Sequence, residues 1–185
     1  MPDQTLGRSF LDAAAELIPE DLTQSPQGQL RRAVSSCYYS VFHALAKACA
    51  DALVGSDQAN RSDDAWVEVY RGLDHGKCLS ACEGSLKVRF PETLKSFAND
   101  FMQLQIARHR ADYDPMARID CVGALACYGV AEGCLDALNQ TREKDMVAFA
   151  TWLLITSKGA AHARKLKKDQ APRDIVVTTP ARPTT

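Results

Sequence analysis

The sequence predicts an all-α fold, an up-and-down bundle of four to five helices with an extra C-terminal helix and a flexible tail. Apolar residues recur three and four positions apart through most of the chain, which is the spacing of a buried helix face. Proline, glycine and helix-capping residues separate these segments, and no alternating segment is long enough to form a sheet. At 185 residues the chain is one domain, expected over residues 5–158, followed by a tail over residues 159–185.

The composition is that of a globular protein. Hydrophobic residues make up 46% of the chain, charged residues make up 24%, and the net charge is −1. No apolar run approaches the roughly 20 residues that a membrane span needs. The N-terminus also lacks the basic and apolar regions of a signal peptide. We therefore expect a cytoplasmic protein without a membrane partner.

The seven cysteines predict free thiols. Their number is odd and no two are spaced as CxxC, so neither a disulfide framework nor a zinc site is indicated. We expect them to act as small core residues in a reducing compartment. The chain also lacks a glycine-rich phosphate loop, and we expect no metal and no cofactor.

The charge is unevenly distributed along the chain. From Lys158 onward the sequence contains seven lysines and arginines and two aspartates, which gives this end of the chain a net charge of +5. A solvated, disordered end is the favoured interpretation of this segment, and contact with nucleic acid is the alternative.

Proline and glycine define the first two helices. The first is expected over residues 5–18 and is ended by the proline that follows. Ser25 and Pro26 have the pattern of an N-cap followed by proline at the first helical position. A long second helix is therefore expected over residues 26–54, and Gly55 closes it.

The rest of the chain predicts a series of further helices. Ser62 is a candidate N-cap for a short helix that carries Trp66, and residues 73–76 are expected to form a turn. The remaining helices are expected at residues 77–88, 91–114, 116–139 and 142–157. Three glycines in the segment 116–139 would each weaken an isolated helix by about 1 kcal/mol relative to alanine, so we expect another helix to approach closely there.

The helix expected over residues 91–114 directs an arginine toward the core. Its apolar stripe consists of Leu94, Phe97, Phe101 and Leu104, and the next position in the series is Arg108. A buried arginine without a partner is costly, so it must find a carboxylate, an acceptor cluster or an anionic ligand. Arg108 and Asp112 are four apart, as are Arg110 and Asp114, so each couple can form an ion pair within the helix.

A second polar group lies on the long helix over residues 26–54. Ser35, Tyr39 and His43 are spaced four apart and form a polar edge beside the apolar stripe. An interface satisfied by hydrogen bonds within the bundle is the favoured interpretation of this edge. The other two histidines, His75 in the expected turn and His162 near the end of the chain, are predicted to be surface residues.

An arginine beside a histidine is a sound arrangement for metal-independent phosphodiester cleavage. The guanidinium of Arg108 holds phosphate charge, while an imidazole moves a proton near neutral pH. His109 or Tyr113 would handle protons in such a site. His109 points about 100° around the helix from Arg108.

Two motifs resemble the HEPN superfamily, the small helical domains of prokaryotic toxin–antitoxin and defence systems. LRRAVSSCYYSVFHAL, residues 30–45, resembles the first long helix of that group, and RHRADYDP, residues 108–115, resembles its arginine motif. The likeness covers roughly residues 5–137. It implies a HEPN-like bundle of four to five helices that dimerises, with the paired motifs facing each other across a two-fold axis.

In active members of that superfamily, the resemblance implies a metal-independent ribonuclease site at the dimer interface. Its motif is an arginine followed four to six residues later by a histidine. The motif arginine corresponds to Arg108 and the polar residue after it to His109. Tyr113 or Asp114 stands at the histidine position, and Ser36 stands where an arginine is usual.

These observations predict an RNA-associated accessory or effector protein of a stress, defence or toxin–antitoxin system. Its partners would be a second copy of the chain, RNA and a protein from the same operon. A metal-independent endoribonuclease and a catalytically silent interaction module are the alternatives. The catalytic candidates are Arg108, His109 and Tyr113. The candidates for RNA binding or an interface are Arg110, Asp112, Asp114, Ser35, Tyr39 and His43.

Overall fold

A computed structural model describes residues 3, 5–24 and 26–155. Within these residues every regular element is an α-helix, as predicted. The helices in chain order are α1 (Leu6–Leu17), α2 (Gln27–Val54), α3 (Asp63–Arg71), α4 (His75–Ser85), α5 (Glu92–Tyr113), α6 (Cys121–Gln140) and α7 (Glu143–Leu154). The predicted tail over residues 159–185 lies outside the described residues.

The long helix α2 is the centre of the fold. It contacts α1, α3, α5, α6 and α7, so it is covered on several sides. A helix in this position buries more than one stripe, and Leu30, Tyr38, Val41 and Leu45 are all fully buried. The predicted stripe of α5 packs against α2, and its last apolar residue, Leu104, lies one turn before Arg108.

Three side chains begin helices by accepting a backbone N–H. Ser62 accepts from Ala65 as predicted, and Asp74 and Asp120 do the same for α4 and α6. An N-cap of this kind satisfies an amide that has no partner inside the helix. At the other end of α2, Gly55 has φ 115°, a backbone conformation that favours glycine.

The structure corrects several predicted boundaries. The helices expected to end at residues 88 and 157 end at Ser85 and Leu154. Pro26 stands at the N-cap of α2 rather than inside it, and Ser25 lies outside the described residues. Residues 75 and 76 belong to α4 and not to a turn, because the Asp74 carboxylate caps the helix. The helix expected from residue 116 begins at Cys121, and residues 114–120 form a loop.

The glycines of α6 do not serve the predicted close helix approach. A Cβ atom added at Gly129 or Gly133 would meet nothing within 4 Å among the described residues. The close approach is instead at Gly7 of α1, where a Cβ would lie 3.2 Å from the Ala44 Cβ atom and from the Ser40 carbonyl. α6 is therefore open on its glycine face and packs α2 and α5 with other residues.

The expectation that no apolar run approaches the length of a membrane span was wrong for one described helix, since α6 is long and apolar enough by length and composition to cross a membrane. The mean hydropathy of its apolar window is 1.4, and 28% of that window is buried inside the bundle. Its buried residues are Cys121, Ala124, Ala131, Cys134 and Leu138. The apolar character of α6 therefore belongs partly to the core and partly to an exposed face.

Candidate functional site

The two motif segments meet where α5 crosses α2. The Nη2 atom of Arg108 donates to the hydroxyl of Tyr39 at 2.7 Å, and the Ser35 hydroxyl donates to the Asp112 carboxylate at 3.3 Å. These residues are 69 and 77 positions apart in the chain. The fold thus brings the polar edge of α2 against the arginine segment of α5.

Arg108 lies half-buried at this crossing, with 21% of its side chain exposed. Its Nε atom is 2.7 Å from the Asp112 carboxylate, an ion-pair distance, although the N–H does not point at the oxygen. The guanidinium carbon also lies 5.3 Å from the ring centres of Tyr39 and Tyr113. Among the described residues, no hydrogen bond involves the Nη1 atom. The predicted pairing of Arg108 with Asp112 is confirmed.

A second arginine holds the backbone beneath this crossing. Arg31 of α2 donates to the carbonyls of Ala111, Asp114 and Ala117 at 2.7, 2.9 and 2.5 Å. The last carbonyls of a helix have no partner inside it, so this guanidinium satisfies the end of α5 and the loop after it. We refer to this contact as the Arg31 clamp. It fixes the end of α5 on which Arg108 stands.

His75 is the residue that sequence reasoning missed. Its Nδ1 atom lies 2.7 Å from the hydroxyl of Tyr38, and its ring stacks on Phe42 with centroids 4.0 Å apart. Its backbone carbonyl accepts from Gln105 of α5 at 3.1 Å. His75 is nevertheless exposed, as predicted, so it is an ordered surface residue. The available signal was Asp74, whose capping places His75 at the first position of α4.

His43 is held in the same manner, and its ring lies 6.3 Å from that of Tyr39. Its Nδ1 atom is 2.7 Å from the hydroxyl of Tyr70, and its ring stacks on Phe10 with centroids 5.1 Å apart. It also borders an open cavity of about 670 Å³ between α1, α2, the end of α6 and the start of α7. Arg108 does not line this cavity.

Burial and neighbouring charge lower the pKa of both histidines. For His75 the largest cause is burial, followed by the positive charge of Arg108, and the carboxylate of Asp74 opposes them. For His43 the causes are burial and the neighbouring His75. Both effects disfavour the imidazolium, so both rings are neutral at pH 7.

The side chains of the remaining predicted residues make no hydrogen bond to α2 in the described structure. His109 and Arg110 are exposed, and the ring of His109 lies 5.1 Å from that of Tyr113. Arg110 makes no ion pair with Asp114 in the described part of the chain. The Asp114 carboxylate accepts instead from the amide of Met116 in the loop. Tyr113 is 61% exposed, and its hydroxyl is 3.5 Å from Nη2 of Arg108.

The cysteines and acidic residues form no metal centre in the part of the chain that is described. No group of three or more histidine, cysteine, aspartate or glutamate side chains is arranged to hold an ion there. All seven cysteines are free thiols, and six of them are buried, in agreement with the prediction. Burial raises the pKa of Cys37 to about 12, which keeps that thiol protonated and unreactive.

No protein-family model, curated protein or solved structure matches this chain.

Proposed function

We propose that this chain is an RNA-associated accessory or effector protein of a stress, defence or toxin–antitoxin system, with a HEPN-like bundle and a cytoplasmic location. The observation that supports it is the hydrogen bond between Tyr39 and Arg108. It joins the two segments whose sequences resemble the HEPN motifs. In this proposal the two segments together form one composite surface.

The chemistry of this surface suits a phosphate backbone. Arg108 is oriented by a hydroxyl and a carboxylate, so it loses little conformational freedom on binding an anion. The exposed ring of Tyr113 beside it is a platform on which an unpaired base can stack. A cation next to an exposed aromatic ring is a common arrangement in proteins that bind single-stranded nucleic acid.

The test is RNA binding by the purified full chain, measured by fluorescence anisotropy with a labelled single-stranded oligoribonucleotide. Arg108→Ala should weaken affinity about 10-fold or more, since a hydrogen-bonded charge contributes roughly 1.5–3 kcal/mol. Arg89→Ala is the matched control, because Arg89 is an exposed arginine that lies outside both motif segments. Equal losses in both variants would indicate general electrostatic attraction and contradict a specific site.

A metal-independent endoribonuclease is the second candidate. The observation that favours it is the chain of contacts from His109 to Tyr113 and from Tyr113 to Arg108, which links proton-transfer groups to a cation. RNA cleavage in excess chelator should then require Arg108 and His109. Intact RNA after long incubation at high protein concentration would exclude this candidate.

The ion pair with Asp112 supports the third reading, a catalytically silent interaction module. In that case Arg108 serves mainly to hold α5 against α2. Arg108→Ala would lower the melting temperature, and the wild-type protein would not bind RNA. A variant that loses RNA affinity at an unchanged melting temperature would contradict this reading.

We also propose that the protein acts as a homodimer, with a partner protein from the same operon as a further ligand. The support for the dimer is a group of exposed apolar side chains at the end of α5, on the loop 114–120 and on the first turns of α6. They are Tyr113, Met116, Val122 and Leu125. We refer to them as the 113–125 apolar face. Exposed apolar groups that lie together mark interaction sites more often than isolated ones do.

A further inference from the structure

The geometry around Tyr38 assigns a role to His75. Tyr38 is fully buried, and its hydroxyl lies 2.7 Å from Nδ1 of His75. No other partner for this hydroxyl is found among the described residues. A buried hydroxyl must donate its proton or lose a hydrogen bond. Nδ1 of His75 is therefore the acceptor of that proton.

This hydrogen bond determines the tautomer of the imidazole. A neutral ring carries one proton, so a ring that accepts at Nδ1 carries its proton at Nε2. The burial of Tyr38 also raises the pKa of its hydroxyl, so the phenol keeps the proton that it donates. Nε2 of His75 has no hydrogen-bond partner within the described structure, and the residue is exposed. An oriented N–H donor thus remains available at the surface.

Tyr38 and Tyr39 both lie near this donor and near Arg108. The Arg108 guanidinium carbon is 5.9 Å from the Tyr38 ring centre and 5.3 Å from that of Tyr39. The His75 ring centre is 5.7 and 6.1 Å from the same two centres. Both donors therefore border one aromatic pair, and Gln105 of α5 ties the backbone of His75 in place.

We infer that Nε2–H of His75 and the guanidinium of Arg108 together form a binding site for a phosphate group, with the RNA backbone as its ligand. This inference rests on the proposed function and names the contact that the histidine would make. In this site His75 is a neutral donor, and Arg108 carries the charge. Neutral histidine donors of this kind stabilise oxyanions without exchanging a proton.

Two variants of His75 test the donor directly. Glutamine places an amide N–H near the position of Nε2, whereas alanine has no donor. His75→Ala should weaken affinity for the oligoribonucleotide about 10-fold, and His75→Gln should retain it within about threefold. Melting temperatures of both variants separate a lost contact from a lost fold. Wild-type affinity in His75→Ala, beside a weakened Arg108→Ala, would overturn this inference and leave the proposed function standing.

The tautomer is measured independently of RNA. Two-bond proton–nitrogen correlation spectra of the ¹⁵N-labelled protein should show His75 with its proton at Nε2. In Tyr38→Phe, which keeps the buried ring, His75 should lose this single tautomer. A proton at Nδ1 in the wild-type protein would overturn the inference.

If the wild type binds no RNA, the proposed function fails. Inorganic phosphate is then the probe, and a His75 resonance that it does not shift would overturn the inference as well.

Discussion

At the scale of single residues, two histidines depend on tyrosines for their position. His43 and His75 each have Nδ1 within 2.7 Å of a tyrosine hydroxyl, and each has a lowered pKa for which burial is the largest cause. His43 is partly buried and His75 is exposed, yet both are neutral, oriented groups next to Tyr39.

The lowered pKa values predict the direction in which stability changes with pH. The unfolded chain takes up protons near the ordinary value of 6.5, while the folded chain resists them until a lower pH. Between these values the unfolded state binds more protons, so the free energy of unfolding falls as the pH falls. The groups that face these rings are Arg108, Asp74, Tyr38 and Tyr70.

Denaturant titrations between about pH 7 and pH 5.5 measure this effect. We expect a loss smaller than about 1 kcal/mol per histidine, because solvent screens both rings in part. The double variant His43→Gln and His75→Gln should show a flatter profile over the same window. A wild-type protein that became more stable toward pH 5.5 would show that the pKa values are raised instead.

Contacts between residues that are close in the sequence could be predicted, whereas contacts between residues far apart in the sequence were missed. The Arg108–Asp112 ion pair follows from a spacing of four on a helix, and the structure confirms it. The hydrogen bond from Arg108 to Tyr39 joins two helices, and no local pattern contains it. His75 was assigned to a turn, because glycine and aspartate beside it are turn residues as well as capping residues. The residues beside His75 fit either a turn or a capped helix, and the packing of α4 decides between the two.

At the scale of helices, the Arg31 clamp explains why the start of α6 was predicted five residues too early. Pro115 alone allows either a new helix or a loop. Arg31 and Gln27, one turn apart on α2, hold the main chain of residues 114–120 in the loop conformation. By contrast, α5 is bounded by Pro91 and Pro115, and its predicted ends are correct to within one residue.

Removing the clamp should destabilise the bundle. Arg31→Ala leaves three carbonyls without their charged donor and should lower the free energy of unfolding by about 2–3 kcal/mol. Arg31→Lys should recover only part of this loss, since one ammonium does not reproduce the geometry of a guanidinium. Denaturant unfolding followed by circular dichroism measures both.

Arg32→Ala is the matched control for the clamp. Arg32 is the next residue on the same helix, and it is exposed. Its replacement should change stability by less than about 0.5 kcal/mol. Equal effects of the two alanine variants would mean that helix charge, and not the clamp, sets the stability.

At the scale of the whole molecule, the exposed side of α6 joins the end of α5. The loop between them carries Met116, which is 84% exposed, and Val122 on the first turn of α6 is 65% exposed. The bare glycines at 129 and 133 extend this side without any neighbour in the described chain. The predicted helix–helix approach at these glycines therefore has no partner within the described part of one chain.

Sedimentation equilibrium tests whether the 113–125 apolar face joins two copies of the chain. We expect the wild-type protein to sediment with twice the mass of one chain. The double variant Met116→Glu and Val122→Glu should sediment with the mass of one chain, because charges buried in an interface without partners are costly. Val88→Glu is the control, since Val88 is exposed on a different part of the bundle. A wild-type protein that stays at one chain mass at high concentration would exclude the dimer.

The Arg31 clamp also has a consequence for evolutionary comparisons of related chains. All three of its acceptors are main-chain carbonyls, which every amino acid supplies. Residues 111, 114 and 117 can therefore change without breaking the contact, while Arg31 cannot. Among homologues this arginine should be invariant and yet show no covariation with the residues that it holds. A contact map inferred from coevolving pairs would leave out this link between α2 and the end of α5.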